Sequence, residues 1–416
     1  MKPAPSQKQL RFLSWETGVF FHFGIRTFHP GHRDWDGVEM DPAAFMPESL
    51  DCRQWLRAAK RIGAKYAILT AKHHDGFALW PSECTRYSVA ASPWRGGKGD
   101  VVKEFTDACR AEGMAVGLYY SPAQWGSWAV KFEDARQYDD YFIRQITELL
   151  TRYGKIDYIW FDGCGSDGHE YDQKRIVSVI RSLQPDILIF DMWDPDTRWV
   201  GNEDGYAPMP NPYAVEHLVL GEKKTIFAPA ECDCKIREHW FWDRDEGTLK
   251  SADELMGMYE MSVGRGSNLL LNVGPDRRGL VPEPDEKRLG ELGALIQGRY
   301  GVPLGFDAPV RESENQYTIR YGALRAEDMG DHTRLPLCQS VIIEEGLSDG
   351  QNVKRFRVWA HLPSLVPISD RRVCVYEGET IGHKAICRFA PIRTPMLTLE
   401  IIESDSPAAI ADFKAY

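Results

Sequence analysis

Three acidic residues of this sequence, Asp162, Glu203 and Glu231, have neighbours that suit acid–base or nucleophilic chemistry. Asp162 directly follows residues 156–161, a short and almost wholly apolar run that is typical of a strand buried on both faces of a parallel sheet. Parallel α/β folds carry their chemistry at the carboxyl ends of such strands. Asp162 could equally cap the following helix, so its role depends on the residues that accompany it.

Hydrolysis of a glycosidic bond is one reaction that needs two carboxyl groups, one to attack or to activate water and one to protonate the leaving oxygen. Asp162 suits the first role, with Trp160 on the same face of the predicted strand. For the acid, Glu203 lies in a glycine-containing loop with Trp199, where it could move towards a substrate. Glu231 directly follows an apolar run and would be held more rigidly, as suits a substrate-binding residue. Both could instead be ordinary solvated charges.

Histidine and aromatic side chains end several other predicted strands. These residues are His22 in 19–25, His73 and His74 after 66–70, Tyr119 in 115–120, and Trp160. Because the strand ends of a barrel converge, we expect these side chains to face one cavity. The chain also contains 13 Trp and 17 Tyr, many of them beside acidic residues or histidine. Aromatic faces next to polar groups suit a sugar, whose ring has apolar C–H patches and whose rim carries hydroxyl groups.

The adjacent His73 and His74, followed by Asp75, could indicate a metal site. Adjacent residues at a strand end point to opposite sides, however, and no HExxH or His-x-His pair accompanies them. Cys232 and Cys234 would need a second pair to form a zinc site, and the sequence has no such pair. We therefore expect neither a metal nor a cofactor, and we expect the histidines to bind hydroxyl groups.

Strand and helix patterns alternate through the first three quarters of the chain. Strands are predicted at 19–25, 66–70, 115–120, 156–161, 187–190, 225–229 and 269–273, and helices at 51–62, 100–112, 138–153, 175–183, 252–263 and 286–300. This repetition predicts a parallel α/β fold, and no GxGxxG follows the first strand, which argues against a dinucleotide-binding fold. A (β/α)8-like barrel, the catalytic domain, is expected over 1–304.

Short β-prone runs separated by turns make up the remaining residues. They lie at 316–320, 340–344, 356–360, 372–377, 385–389 and 396–402. With no helix-length pattern between them, they predict a small antiparallel β-sandwich over 305–416.

Composition excludes several kinds of partner. The net charge is −11 and no Lys/Arg block occurs, which argues against nucleic acid. No run of 18 apolar residues occurs, and residues 1–10 contain no apolar signal segment, so we expect no membrane partner and a cytoplasmic location unless a signal has been removed. The nine cysteines are scattered and odd in number, which favours free thiols.

Five ordered motifs between about residues 15 and 300 resemble the α-L-fucosidases of glycoside hydrolase family 29. The motifs are Phe-Phe-His-Phe-Gly at 20–24, Lys-His-His-Asp-Gly-Phe at 72–77 with Leu-Trp-Pro-Ser at 79–82, Gly-Leu-Tyr-Tyr-Ser at 117–121, Trp-Phe-Asp-Gly at 160–163 and Leu-Leu-Leu-Asn-Val-Gly-Pro at 269–275. Any one alone would be a weak match, but their order over this length is specific. The C-terminal sandwich is also typical of the family.

The resemblance implies a retaining mechanism with Asp162 as the nucleophile. It matches a further set of residues to positions of the fucose pocket: His22, Trp35, His73, His74, Tyr119 and Trp160. Glu231 is a further expected substrate-binding residue, and Trp160 or Trp240 could accept the methyl group of fucose. No cofactor is implied, and the implied partner is a fucosylated oligosaccharide or glycoconjugate.

The general acid varies across this family and transfers less directly. Residues 198–203, which include Arg198 and end at Glu203, resemble the acid loop of the subgroup that cleaves α-1,3/4-linked fucose from branched glycans. We therefore expect Glu203 to be the acid, with Glu231 as the alternative, and a preference for Lewis-type structures. Other readings are a broad-specificity α-L-fucosidase active on aryl and α-1,2/1,6 fucosides, another exo-glycosidase such as a galactosidase, or a non-catalytic glycan-binding protein.

Overall fold

An eight-stranded parallel sheet forms the larger part of the molecule. The computed structural model describes residues 2–29, 31, 40–122, 135–163, 169–242, 244, 246–322, 332–362 and 371–416. The sheet consists of β1 (Thr17–Phe21), β2 (Tyr66–Lys72), β3 (Ala115–Tyr120), β4 (Tyr158–Phe161), β5 (Leu188–Phe190), β6 (Arg198–Trp199), β9 (Ala230–Lys235) and β10 (Asn268–Asn272). A hairpin of β7 (Ala214–Val219) and β8 (Glu222–Phe227) lies between β6 and β9 in the chain.

The sheet curls into a nearly closed barrel. Its strand order is β5-β4-β3-β2-β1-β10-β9-β6, and a parallel bridge between Phe190 and Thr197 brings the two ends together. The predicted α/β barrel is therefore confirmed. Its carboxyl-terminal edge gathers the ends of all eight strands, so residues that follow different strands lie around one opening.

Seven α-helices occur in the described part of the chain. They are α1 (Gln7–Trp15), α2 (Cys52–Lys60), α3 (Val101–Ala111), α4 (Ala135–Arg152), α5 (Gln173–Leu183), α6 (Ala252–Ser262) and α7 (Glu283–Tyr300). Asp51 and Asp100, predicted as first helical residues, are N-caps whose carboxylates accept hydrogen bonds from the backbone N–H groups of Gln54 and Lys103. In the described residues, no helix has the length and apolarity that crossing a membrane requires.

Helix α1, which the sequence patterns did not predict, closes the amino-terminal end of the barrel. Its Phe12 ring packs edge-on against Tyr158, the first residue of β4, with ring centroids 5.6 Å apart. The Asn268 side-chain amide at the start of β10 donates a hydrogen bond to the Phe12 carbonyl oxygen at 2.8 Å. One end of the barrel is thereby filled, and the other end is left for a cavity.

The predicted strand at 225–229 is wrong as a barrel strand. Residues 222–227 form β8 of the hairpin, and the barrel strand is the next one, β9. Strand β9 has no apolar run, because side chains alternate across a strand and its alternate residues Glu231, Asp233 and Lys235 share one face. Asp233 and Lys235 of that face line a cavity, so the inner face of this strand is polar.

Antiparallel strands follow α7. They are β11 (Val310–Ser313), β12 (Gln316–Arg320), β13 (Leu337–Glu345), β14 (Val353–His361), β15 (Arg372–Gly378), β16 (Ala385–Arg393), β17 (Met396–Ser404) and β18 (Ile410–Ala415). They form a five-stranded sheet, β11-β12-β17-β14-β15, and a three-stranded sheet, β16-β13-β18. Alternate apolar residues, among them Phe356, Val358 and Leu399, form a core separate from that of the barrel. The predicted sandwich strands all occur, and β11 and β18 add to them.

Candidate active site

A cavity of about 650 Å³ opens at the carboxyl-terminal ends of the barrel strands. Most of the site residues predicted from the sequence line it: His22, His73, His74, Tyr119, Trp160, Asp162, Glu203 and Trp240. Strand register explains part of this grouping, because Tyr119 of β3 pairs with Trp160 of β4, and Asp162 follows one residue after β4 ends. The other three predicted residues are described below.

Two side chains orient the Asp162 carboxylate. The Tyr119 hydroxyl donates a hydrogen bond to Asp162 Oδ2 at 2.9 Å, and His74 Nε2 lies 3.5 Å from the same oxygen. The Asp162 side chain remains 26% exposed towards the cavity. A carboxylate that is oriented by its neighbours and remains open to a pocket has the geometry of a positioned nucleophile or base.

His73 and His74 both face the cavity, so the expectation that they point to opposite sides is wrong. Strand β2 ends at Lys72, and the chain leaves strand geometry before the two histidines. Their ring centroids lie 4.3 Å apart, and the His73 ring stacks on Tyr119 at 5.4 Å. Burial lowers the pKa of His73. In the described residues, no group of three or more His, Cys, Asp or Glu is arranged to hold a metal ion.

His22 is a neutral hydrogen-bonding residue that follows β1 directly, rather than lying within that strand. Its Nδ1 lies 2.8 Å from Asn272 Oδ1, and the Asn272 amide donates to the Trp240 carbonyl oxygen. The Asn272 oxygen therefore accepts, which assigns the proton to His22 Nδ1 and leaves Nε2 as an acceptor. Burial lowers the pKa of His22 to about 3, so the ring is uncharged at neutral pH.

One side of the cavity, which we call the aromatic wall, is formed by Phe20, Tyr119, Trp160, Phe190 and Trp240. The Trp160 and Phe190 rings stack with centroids 4.0 Å apart, and Trp160 stacks on Tyr119 at 5.5 Å. The His22 ring packs against Trp240 at 4.8 Å. Rigid apolar faces next to neutral imidazoles present both C–H contacts and hydroxyl partners to a sugar ring.

A second side of the cavity, which we call the charged rim, is formed by Asp191, Glu203, Asp233, Lys235 and Glu238. Glu203 Oε2 lies 2.8 Å from Lys235 Nζ, and its side chain is 47% exposed. Asp233 accepts a hydrogen bond from Trp199 Nε1 at 2.8 Å, and burial raises the pKa of its carboxyl to about 7. Trp199 also donates its backbone N–H to Asp191 at 3.0 Å.

Glu231 lies inside the barrel beneath Trp160 and does not line the cavity. Its carboxylate accepts hydrogen bonds from Tyr66 Oη at 2.5 Å, Trp160 Nε1 at 2.9 Å and Tyr158 Oη at 3.2 Å. Burial raises its pKa to about 7, and the three hydrogen bonds oppose that shift. In this position Glu231 orients the Trp160 ring from below.

Arg198 lies outside the cavity lining. Its guanidinium donates to Asn211 Oδ1 at 2.7 Å and to the Pro212 carbonyl oxygen at 3.3 Å, so it ties β6 to the segment that follows the Glu203 loop. Trp35 is in residues 32–39, which lie outside the described residues.

Sequence reasoning missed part of the cavity lining: Phe20, Phe190, Asp191, Trp199 as a lining residue, Asp233, Lys235, Glu238 and His239. A signal for the β9 residues was present. Glu231, Asp233 and Lys235 alternate with Cys232 and Cys234 shortly after Pro229, which is the two-residue period of a strand with one polar face.

Comparison with known proteins identifies the family. The α-L-fucosidase family model matches residues 5–300. α-L-Fucosidase 1 of Arabidopsis thaliana is 33% identical over 99% of this chain and 85% of its own length.

Two solved structures share the fold over all of this chain. A glycoside hydrolase 29 family member from an unknown rumen bacterium is 31% identical, with a TM-score of 0.85 and 77% of that chain covered. A family 29 fucosidase of Ruminococcus gnavus, solved in complex with fucose, is 25% identical, with a TM-score of 0.84 and 95% of that chain covered. With the motifs and the cavity described above, these matches establish that the chain belongs to the α-L-fucosidases of glycoside hydrolase family 29.

Proposed function

We propose that this α-L-fucosidase is a retaining, exo-acting enzyme that removes terminal α-1,3/4-linked fucose from branched glycans. The observation that carries the proposal is the placement of two carboxyl groups of different character in one cavity. Asp162 is oriented by Tyr119 and His74, and Glu203 lies on the charged rim. Retaining glycosidases use such a pair, with the two carboxyl groups about 5–5.5 Å apart in the catalytic state.

In the first step, a carboxylate oxygen of Asp162 forms a bond to the anomeric carbon of fucose. The bond from that carbon to the leaving oxygen breaks, and its electron pair goes to the oxygen, which takes the proton of Glu203. The hydrogen bond that Tyr119 donates to Oδ2 orients the Asp162 carboxylate for this attack. The product is a covalent fucosyl ester of Asp162 and a released glycan.

In the second step, water attacks the same carbon and gives a proton to the Glu203 carboxylate. The bond to Asp162 breaks, which restores the carboxylate and releases fucose with its original anomeric configuration. Neutral His22, with its free acceptor at Nε2, is suited to bind a fucose hydroxyl throughout. The aromatic wall supplies an apolar surface for the methyl group.

Two features support the proposed linkage preference. One is the acid loop, and the other is the set of polar groups on the charged rim. The subgroup-like segment 198–203 contributes both Trp199 and Glu203 to the cavity. Carboxylates, an ammonium group and an indole on one side of the opening provide many hydrogen-bonding partners for a polyhydroxylated leaving group. A small aryl group would leave most of these partners unused.

The test is to compare a Lewis-type trisaccharide with an aryl α-L-fucoside, using wild type and Glu203→Gln. Positioned acid catalysis contributes about 10²–10⁴-fold, so the variant should lose that factor on the trisaccharide and much less on an activated aryl leaving group. Glu222→Gln, which changes an exposed carboxylate of the β7–β8 hairpin, is the matched control. NMR of the first-formed fucose should show retained configuration.

Three results would contradict parts of this proposal. An inverted first product would exclude the retaining mechanism. Equal losses on both substrates would exclude Glu203 as the acid. Efficient cleavage of the aryl fucoside with poor cleavage of the trisaccharide would exclude the linkage preference.

A further inference from the structure

Lys235, the last residue of β9, contacts both sides of the cavity. Its ammonium group lies 2.8 Å from Glu203 Oε2 on the charged rim and 4.6 Å from the centre of the Trp240 ring on the aromatic wall. The Lys235 side chain is 22% exposed, whereas that of its partner Glu203 is 47% exposed. A strand residue thus connects a loop carboxylate to the aromatic wall.

The loop that carries Glu203 has few other restraints on this side chain. Its backbone passes through two glycines with positive φ, Gly201 at 99° and Gly205 at 65°. The Asn202 side chain organises the turn, donating to the Tyr206 carbonyl oxygen at 2.9 Å and accepting from the Asp204 N–H at 3.1 Å. Within the described residues, the Glu203 carboxylate accepts its hydrogen bond from Lys235.

Lys235 pairs with Glu203 although another carboxyl lies close in the sequence. Asp233 is two residues earlier on the same face of β9, but it accepts from Trp199 Nε1 at 2.8 Å. Burial raises its pKa to about 7, which weakens its charge at neutral pH. The ammonium charge of Lys235 is therefore directed to the loop carboxylate.

We propose that Lys235 is a positioning residue for Glu203 that acts in departure of the leaving group. This inference rests on the proposed role of Glu203 as general acid. When Glu203 gives its proton to the leaving oxygen, the electron pair of the O–H bond remains on the carboxyl group, which becomes negatively charged. Lys235 stabilises that charge and holds the carboxylate in place until water returns a proton to it in the second step.

The role predicts which substrates depend on Lys235. A sugar hydroxyl is a poor leaving group and needs the proton as the bond breaks, whereas a nitrophenolate leaves with little assistance. Because the proposed role concerns proton transfer to the leaving oxygen rather than binding of fucose, loss of the Lys235 charge should lower kcat for the trisaccharide far more than it changes KM.

The experiment uses Lys235→Met, which keeps the length and the apolar contact with Trp240 but removes the charge, and Lys235→Arg, which keeps the charge. On a Lewis-type trisaccharide, Lys235→Met should lower kcat about tenfold, since misplacing a catalytic group by about 1 Å costs up to ~10²-fold. On 4-nitrophenyl α-L-fucoside the change should stay within about twofold. Lys235→Arg should restore most of the activity.

Lys224→Met is the matched control, because Lys224 also pairs with a glutamate, Glu222, at 3.0 Å, but on the hairpin outside the cavity lining. Lys224→Met should leave the activity on both substrates unchanged. Thermal melting of every variant should match wild type, since partly exposed ion pairs contribute little to stability. A lowered melting temperature with equal losses on both substrates would overturn the positioning role.

A double-mutant cycle separates this inference from the proposed function. If Lys235 acts through Glu203, Lys235→Met should have almost no further effect on trisaccharide hydrolysis in the Glu203→Gln background. If both single variants lose activity and the losses multiply, Glu203 remains the acid but the positioning role of Lys235 is wrong. If Glu203→Gln alone leaves trisaccharide hydrolysis unchanged, the acid assignment fails, and the inference fails with it.

Discussion

The polar side chains of the aromatic wall are held more firmly than the proposed acid, Glu203, on the charged rim. On the aromatic wall, Tyr119 and Trp160 are almost fully buried, and each side chain hydrogen-bonds a carboxylate. On the charged rim, Glu203 is half-exposed on a glycine-bounded loop and is bonded by one lysine. A wall that is fixed before substrate binds suits recognition of one sugar. A more adaptable rim suits leaving groups of varied shape.

The largest effect is expected from removing Asp162, the proposed nucleophile, which Tyr119 of the aromatic wall orients. Asp162→Ala should lower kcat by at least about 10⁴-fold on both the trisaccharide and the aryl fucoside, because no other group would form the covalent intermediate. Steady-state kinetics with a melting curve would check this. Since the fold does not depend on this partly exposed carboxylate, the melting temperature should not fall. Activity within tenfold of wild type would exclude Asp162 as the nucleophile.

Tyr119→Phe tests whether the contribution of the aromatic wall to catalysis is independent of the leaving group. The change removes the hydrogen bond to Asp162 Oδ2 but keeps the ring that stacks on Trp160. A hydrogen bond to a charged group contributes about 1.5–3 kcal/mol, so kcat/KM should fall about 10- to 100-fold. The loss should be equal for both substrates, in contrast to the rim variants. A loss confined to the trisaccharide would remove the distinction between the two sides.

Glu231→Gln tests the support beneath the aromatic wall through the pH dependence of stability. The folded-state pKa of about 7 lies above the ordinary value of 4.5, so the unfolded state binds fewer protons between these pH values. This carboxyl therefore lowers the free energy of unfolding progressively as pH rises from about 4.5 to 7. Glutamine cannot ionise, so the stability of the variant relative to wild type should increase across that window by about 1–3 kcal/mol.

Urea denaturation at intervals between pH 4.5 and 7 would measure this difference. Glu222→Gln, on an exposed strand, should show no such trend and serves as its control. A difference between variant and wild type that stays constant with pH would mean that Glu231 is ionised throughout in the folded protein.

Local patterns were sufficient to predict most of the fold. Apolar runs marked β2, β3 and β4 because both faces of those strands are buried. The same criterion selected residues 225–229, which overlap β8, in place of β9, because a strand whose inner face lines a polar cavity carries no apolar run. This wrong assignment shows that an apolar run indicates burial in an apolar environment rather than strand formation itself.

The candidate site also contains residues that the sequence predicts and contacts that it does not. His22, Tyr119 and Asp162 could be predicted together, since residues at the ends of parallel strands must converge. The contact of Glu203 with Lys235 could not be predicted, because it joins a loop to a strand 32 positions away, and no spacing rule relates the two. The position of Glu231 beneath Trp160, rather than beside the substrate, also depends on depth within the barrel, which the linear sequence does not encode.

The sequence by itself determined the α/β barrel with its sandwich and the set of residues at the strand ends, because hydrophobic periodicity and chain order are local properties. Only the tertiary structure decided which polar residues of β9 face the cavity, which carboxylate is buried and which is exposed, and which lysine pairs with the loop glutamate. Those outcomes depend on strand register and barrel closure, which bring distant residues together and set how much water reaches each charge.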